Sequence, residues 1–277
     1  MPAIDVYGRT HELDAQTLDA IVARLEYRAR QPIFLQILAE YLDRIDVGLL
    51  GTVLDMGCGT GFVARQLAQR PDFHGRILGV DLSPHLVQAA ARLSEEEGIS
   101  QVVDYQVGDT RSLDLAAASF DAVLPHTLVS HVENPAAVIR EAARVVRPGG
   151  VVVVFDGDYG SLTIGTDDPA EGMRMDAAII ASVSASPRVM RSMPYLLRSA
   201  GLTLEASMAY VLAEIGRADY WAGMLNSLPV LLPRAGLIDE GTARAFVAAQ
   251  HEASANGTFF CSANFYTYIA RRPVQSP

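Results

Sequence analysis

Across 277 residues, 22 Lys and Arg stand against 32 Asp and Glu, a formal charge of −10, while half of the residues are hydrophobic and only 19% are charged. That much apolar material excludes disorder driven by low hydrophobicity, and the acidic balance, with no basic run longer than Arg271-Arg272, excludes the electrostatic footprint of nucleic-acid binding. The longest aliphatic run, 151–155, falls far short of the roughly 20 residues that span a bilayer.

No secretory signal pattern is read in residues 1–10, so a cytoplasmic location without membrane partners is expected. Cys58 and Cys261 are too few for a disulfide framework or a four-Cys zinc site, and both are expected to be reduced thiols. Without internal repeats or a low-complexity linker, the chain reads as a single domain, 1–277.

In chain order, Ile33, Phe34, Ile37, Leu38, Tyr41 and Leu42 fall at helical spacing, and a short glycine-containing loop leads to a strand at 52–55. A glycine cluster precedes a helix at 62–69, and a second strand covers 76–81. Ser83-Pro84 offers a capping hydroxyl with proline at the first helical position, so a helix at 84–96 follows. Strands at 101–107 and 120–124 come next. Asn134-Pro135 repeats the capping device for a helix at 135–147, and 151–155 is a buried strand. Strands alternating with helices of about a dozen residues predict a doubly wound α/β fold with a mostly parallel sheet. Beyond 156 the pattern predicts helices at 168–185, 188–199, 217–226 and 239–255. Strands at 202–213 and 258–270 would form an antiparallel edge hairpin, with 258–270 as the terminal edge strand. Its Phe and Tyr residues would then offer a surface for a homodimer.

The sharpest motif is Val53-Leu54-Asp55-Met56-Gly57-Cys58-Gly59-Thr60-Gly61, a strand running into a glycine loop that opens a helix. In such folds the crevice beyond the carboxyl ends of the strands is the ligand site, and Gly57, Gly59 and Gly61 let the backbone turn close to a ligand. The dinucleotide pattern GxGxxG fails because Phe62 stands where glycine or alanine is required, and no Gly-Lys-Ser/Thr follows to make a P-loop. Asp55 at the strand end would repel a pyrophosphate and suit a cationic ligand.

Taken together, LDMGCGTG resembles motif I of the class I S-adenosylmethionine-dependent methyltransferases. The resemblance continues through GVDLS, Gly108-Asp109-Thr110, SFDAV, HVENP and REAARVVRPGGVVVV. The last three of these resemble the fourth-strand to fifth-strand block of the ubiquinone/menaquinone-biosynthesis type of small-molecule methyltransferase, and the resemblance as a whole covers about residues 33–156. What it implies is a Rossmann-like seven-stranded sheet, mostly parallel with an antiparallel edge hairpin, and helical lid additions at 1–32 and 157–255. It implies S-adenosylmethionine as cofactor and S-adenosylhomocysteine as product. The glycine loop, Asp55 and Cys58 would hold the cofactor, with Asp81 and Leu82 at the ribose hydroxyls, Asp109 and Thr110 at the adenine, and His126 at the cofactor or acceptor.

The sulfonium is an activated electrophile, so catalysis reduces mainly to holding a nucleophile in line. An oxygen nucleophile needs a base, and His131, in the segment after the fourth strand, is the candidate. Asp156 and Asp158 could orient a polar acceptor. No metal is expected, and with Cys58 committed to the glycine loop an arsenic acceptor is disfavoured. Met173, Met175, Met190, Met193, Met208 and Met224, with Tyr195, Tyr210, Tyr220 and Trp221, suit either core packing or an apolar, aromatic or polyketide-like acceptor. Three rival readings keep the fold and change the function: a cyclase or isomerase retaining the cofactor, a regulatory module, and a dehydrogenase.

Overall fold

The computed structural model describes residue 5 and residues 7–274. Aliphatic strands make the scaffold. They are β1 (Thr52–Met56), β2 (Arg76–Asp81), β3 (Val103–Val107), β4 (Phe120–Pro125), β5 (Val146–Ile164), β6 (Thr203–Gly216) and β7 (Phe259–Arg271). They form one sheet in the order β3-β2-β1-β4-β5-β7-β6. The first five run parallel, and β7 lies antiparallel to both β5 and β6. Val53, Leu54, Ala122, Val123, Val152, Val154 and Phe155 are fully buried, as strands covered on both faces require.

The helices are α1 (Ala15–Ala29), α2 (Pro32–Arg44), α3 (Phe62–Ala68), α4 (Pro84–Glu96), α5 (Pro135–Val145), α6 (Pro169–Val183), α7 (Val189–Ser199), α8 (Ala222–Arg234) and α9 (Glu240–Asn256). Local chemistry starts two of them as expected: Ser83 Oγ accepts from Leu86 N at α4, and Asn134 Oδ1 accepts from Ala137 N at α5. One apolar cluster on one face of the sheet joins α2, α3, α6, α8 and α9. A second, on the opposite face, joins α5 and α7.

Several expectations are corrected. The strand at 258–270 is not an edge: β7 is hydrogen-bonded on both sides, and β6 is the border. Its alternation is double-sided burial, with Phe259, Cys261 and Phe265 in one core cluster and Tyr268 and Ala270 in the other. Phe259, Phe265 and Tyr268 are therefore withdrawn from the surface, and of the strand's aromatics Phe260 is the exposed one among the described residues. The buried strand expected at 151–155 extends from Val146 to Ile164, with a register shift between Asp158 and Thr163. The helix expected at 217–226 is α8, which carries Pro229 and Pro233 inside it. Within 157–255, β6 belongs to the sheet, and Met190 and Met193 of α7 are core rather than lid.

Helix α1 gave little signal because only Leu18, Ile21 and Ala29 are buried along its 15 residues. Asp14 caps it through Thr17 N. Its place over the sheet is fixed by Arg65 of α3, whose buried guanidinium reaches Glu26 of α1 at 2.6 Å and also pairs with Glu97. Phe265→Ala tests the inner position of β7. Truncating this 1%-exposed ring is expected to cost about 3–5 kcal/mol, read as a lower urea midpoint, whereas an exposed edge residue would cost little.

Candidate active site

Strand order reverses between β1 and β4, which opens a crevice at their carboxyl ends. There the glycine loop is latched to β2: Gly57 N and Cys58 N donate to Val80 O at 2.8 and 3.0 Å, and Gly59 N donates to Asp81 Oδ2 at 2.9 Å. Two of its glycines are required by geometry. Gly57 has φ +77°, and a Cβ there would meet Leu128 Cδ1 at 2.7 Å; Gly61 has φ +76°, and a Cβ would collide with the Tyr105 ring.

Asp55 is 1% exposed. Its Oδ2 accepts from Ala64 N, 3.1 Å away in the first turn of α3. Burial raises its pKa, the Ala64 N–H opposes the rise, and the nearby Asp81 charge adds to it, leaving Asp55 at about 7. Burial also raises Asp81, against N–H donors from Ser83 and Gly59. The Cys58 thiol is pushed well above its ordinary value by burial and by Asp55 and Asp81, so it stays protonated and unreactive.

A cavity of about 210 Å³ opens over this loop. Asp55, Gly57, Cys58, Gly59, Thr60 and Asp81 line one side, and His126, His131 and Tyr159 line another. Arg24 and Arg28 of α1, with Tyr220, Trp221 and Met224, close it over. Thr127, also on the wall, takes the left-handed conformation, φ 53°, and its N–H reaches Phe155 O at 2.6 Å. Such strain is held only where neighbours enforce it.

His126 Nδ1 lies 2.9 Å from Tyr41 Oη. Burial, with the Arg28 charge, holds its pKa well below 6.5, so the ring is neutral. His131 Nδ1 lies 2.8 Å from Asp5 Oδ2. Asp5 also accepts from Tyr7 N, Gly8 N and Ala185 N, which fixes it as an acceptor. Burial pulls the His131 pKa down, but the charge and hydrogen bond of Asp5, with a contribution from Asp156, outweigh it and the pKa is raised.

Other expected site residues stand apart from the cavity. Gly61, Leu82, Asp109 and Thr110 do not line it. Asp109 is engaged by Arg111 through both carboxylate oxygens, which holds its pKa low. Asp156 was expected to orient an acceptor; instead it is buried and accepts from Ser130 N, Ser130 Oγ and Gly157 N. Asp158 pairs with Arg191 at 2.8 Å. Sequence reasoning missed Asp5, Tyr7, Arg24, Arg28 and Tyr159. The one available cue was Arg24 and Arg28 at i, i+4 spacing, which shares a helix face.

Residues 54–154 match the family model described as methyltransferase domain. That stretch carries the likeness to the methyltransferases. Methyltransferase GfsG of Streptomyces halstedii is 29% identical over 204 residues, 73% of this chain and 69% of that protein. The ubiquinone biosynthesis O-methyltransferase of Methylocella silvestris is 36% identical over 100 residues, 36% of this chain and 37% of that one. Among solved structures, BH2331, a methyltransferase-type protein of Bacillus halodurans C-125, shares the fold with a TM-score of 0.60 at 19% identity, covering 86% of this chain and 99% of that one. The chain thus spans about two fifths or less of the length of several curated relatives it matches.

This domain family uses S-adenosylmethionine, and the chain's own residues fit it. The two glycines above leave backbone space, Asp55 offers a buried carboxylate to a cationic group, and each Asp81 oxygen keeps a lone pair for a ribose diol beyond its backbone donor. Asp55 also makes a prediction for the free protein. Its raised native pKa stabilises the fold below pH 3.8, and that stabilisation is lost as pH rises toward about 7. Asp55→Asn is expected to flatten this part of the Tm against pH curve while weakening S-adenosylmethionine binding at least tenfold by calorimetry; an unchanged slope would exclude the titration.

Proposed function

We propose that the protein methylates a small-molecule acceptor, at oxygen or nitrogen, in the cavity above the glycine loop. The observation that carries this reading is that the latched loop with Asp55 and Asp81 lines the same cavity as His131, whose ring is held from behind by Asp5. The resemblance to a ubiquinone biosynthesis O-methyltransferase supports the oxygen-directed form. The aromatic walls, Tyr7, Phe34, Tyr159 and Tyr220, support a flat or apolar acceptor such as an aromatic or polyketide-like metabolite. The acidic composition supports a small molecule over a nucleic acid.

When bound, S-adenosylmethionine supplies an activated methyl group. Asp55 and Asp81 hold it through its cationic and diol groups, and α1 with Tyr220 and Trp221 excludes water from the cavity. Asp5 keeps the Nδ1 proton of His131, so Nε2 is the basic atom of the ring and takes the acceptor's hydroxyl proton. His126, neutral and bonded to Tyr41, positions the neighbouring wall without exchanging a proton.

The first test is calorimetric titration with S-adenosylmethionine and separately with NAD, alongside Asp81→Ala. Binding of the former alone, weakened in the variant, is expected; binding of NAD alone would revive a dehydrogenase. An acceptor screen read by product mass should give a gain of one CH₂, since an unchanged product mass would mean cyclase or isomerase chemistry. Because the neutral form of His131 is the base, activity should fall on the acid side with an apparent pKa above 6.5. Asp5→Asn removes what raises that pKa while burial remains, so the acid limb should move to lower pH. His131→Ala should lower kcat by about 10²–10⁴-fold. An acid limb unmoved by Asp5→Asn would exclude His131 as the base.

A further inference from the structure

Beyond its charge near His126, one cation on the cavity wall has no role in the chemistry described so far. Arg28, near the end of α1, is half-buried, and its Nη2 is shut off from solvent without a hydrogen-bond partner among the described residues. It makes no ion pair there either. Arg65 of the same layer, by contrast, is paired with two glutamates. A buried donor left unpaired is costly, and more so when it is charged. A site that retains one is shaped for a group that arrives from outside.

The surroundings say which kind of group. The Arg28 guanidinium lies over the Phe34 ring, 4.5 Å from its centroid, which leaves its edge nitrogens for a planar acceptor. Trp221 Nε1, also on the cavity wall, is a second buried donor without a partner among the described residues. The groups that act on Arg28 most strongly through charge are Tyr220, Tyr159, Asp156 and Tyr7. Of these only Asp156 is anionic, and its carboxylate already accepts three hydrogen bonds, two from Ser130 and one from Gly157. The cluster belongs to the His131 end of the cavity: the His131 ring lies 5.1 Å from Tyr7 and 5.9 Å from Tyr159 between centroids.

We propose that Arg28, with Trp221 Nε1, is the anchor for a carboxylate on the acceptor, so that the substrate is an acidic small molecule whose anionic group docks beside the His131 base. This rests on the methyltransferase reading of the same cavity. It makes Arg28 a specificity residue: an acceptor whose carboxylate is esterified or amidated leaves the guanidinium unpaired and is rejected. The rival source of a carboxylate is the amino-acid end of S-adenosylmethionine itself, and the two are separable.

Trp221 is the chain's single tryptophan, so its fluorescence reports directly on this cavity. The protein saturated with S-adenosylhomocysteine is titrated with benzoate and with its neutral counterpart benzamide, and S-adenosylhomocysteine affinity is measured separately by calorimetry. Benzoate is expected to change Trp221 emission saturably and benzamide to bind at least tenfold more weakly. Arg28→Gln is expected to weaken benzoate at least tenfold and S-adenosylhomocysteine less than twofold, with Arg28→Lys intermediate for benzoate. Equal binding of benzoate and benzamide, or no saturable response to benzoate, overturns the proposal, and that comparison needs no variant. A tenfold loss of S-adenosylhomocysteine affinity in Arg28→Gln with benzoate unchanged assigns the guanidinium to the cofactor and also overturns it. Failure of the native protein to bind S-adenosylhomocysteine removes the underlying methyltransferase reading, and this proposal with it, whereas binding of S-adenosylhomocysteine without benzoate removes the proposal alone.

Discussion

The site depends on how the loop after β1 is fastened to β2. Two consecutive N–H groups, of Gly57 and Cys58, converge on the Val80 carbonyl, and the next, of Gly59, closes on the Asp81 carboxylate. This geometry needs left-handed backbone at Gly57, Gly59 and Gly61, a region that side chains with a Cβ rarely adopt. The fastening draws two carboxylates, Asp55 and Asp81, under one short loop away from solvent. Burial and mutual repulsion therefore raise the pKa of Asp55, and the loop holds anionic character in reserve for a cationic partner.

The cavity owes its roof to longer-range pairing. Arg65, almost wholly buried, is neutralised by Glu26 from α1 and by Glu97, and a buried cation of this kind destabilises the fold if one partner is removed. Asp5 performs a comparable task at the opposite wall, gathering N–H groups from Tyr7, Gly8 and Ala185 while engaging His131. The N-terminal segment is thereby both a cover and the source of the carboxylate that tunes the candidate base. Within this enclosure the two cavity histidines diverge. His126 lacks a carboxylate and has a cation nearby, so its pKa falls, whereas His131 has Asp5 and its pKa rises.

Local sequence was most legible where one short-range rule decided the outcome. Ser83-Pro84 and Asn134-Pro135 started helices where capping chemistry says they should, and the glycine loop with Asp55 and Asp81 came to the cavity wall as its motif implied. Legibility failed where several meanings share one pattern. The alternating Phe and Tyr of 258–270 fit an edge strand with one wet face or an inner strand between two apolar layers, and only the neighbours distinguish these. Helix α1 was silent because it shields a cavity rather than filling the core, so three buried residues gave it no stripe.

What the sequence determined by itself was the α/β alternation, the parallel half of the sheet and the glycine loop, because each follows from contacts within a few residues or from a motif at a strand end. What only the tertiary structure decided was the insertion of β7 between β5 and β6, the partnership of Asp5 with His131 across 126 residues, and the placing of Arg28 on the cavity wall. Asp156 and Asp158 make the same point in reverse, since their position after β5 was visible but their engagement by Ser130 and Arg191 was not. The physical reason is common to all of them. Charge and hydrogen-bond partners are assigned by proximity in space, and residues far apart in the chain carry no local signal of which partner burial will bring to them.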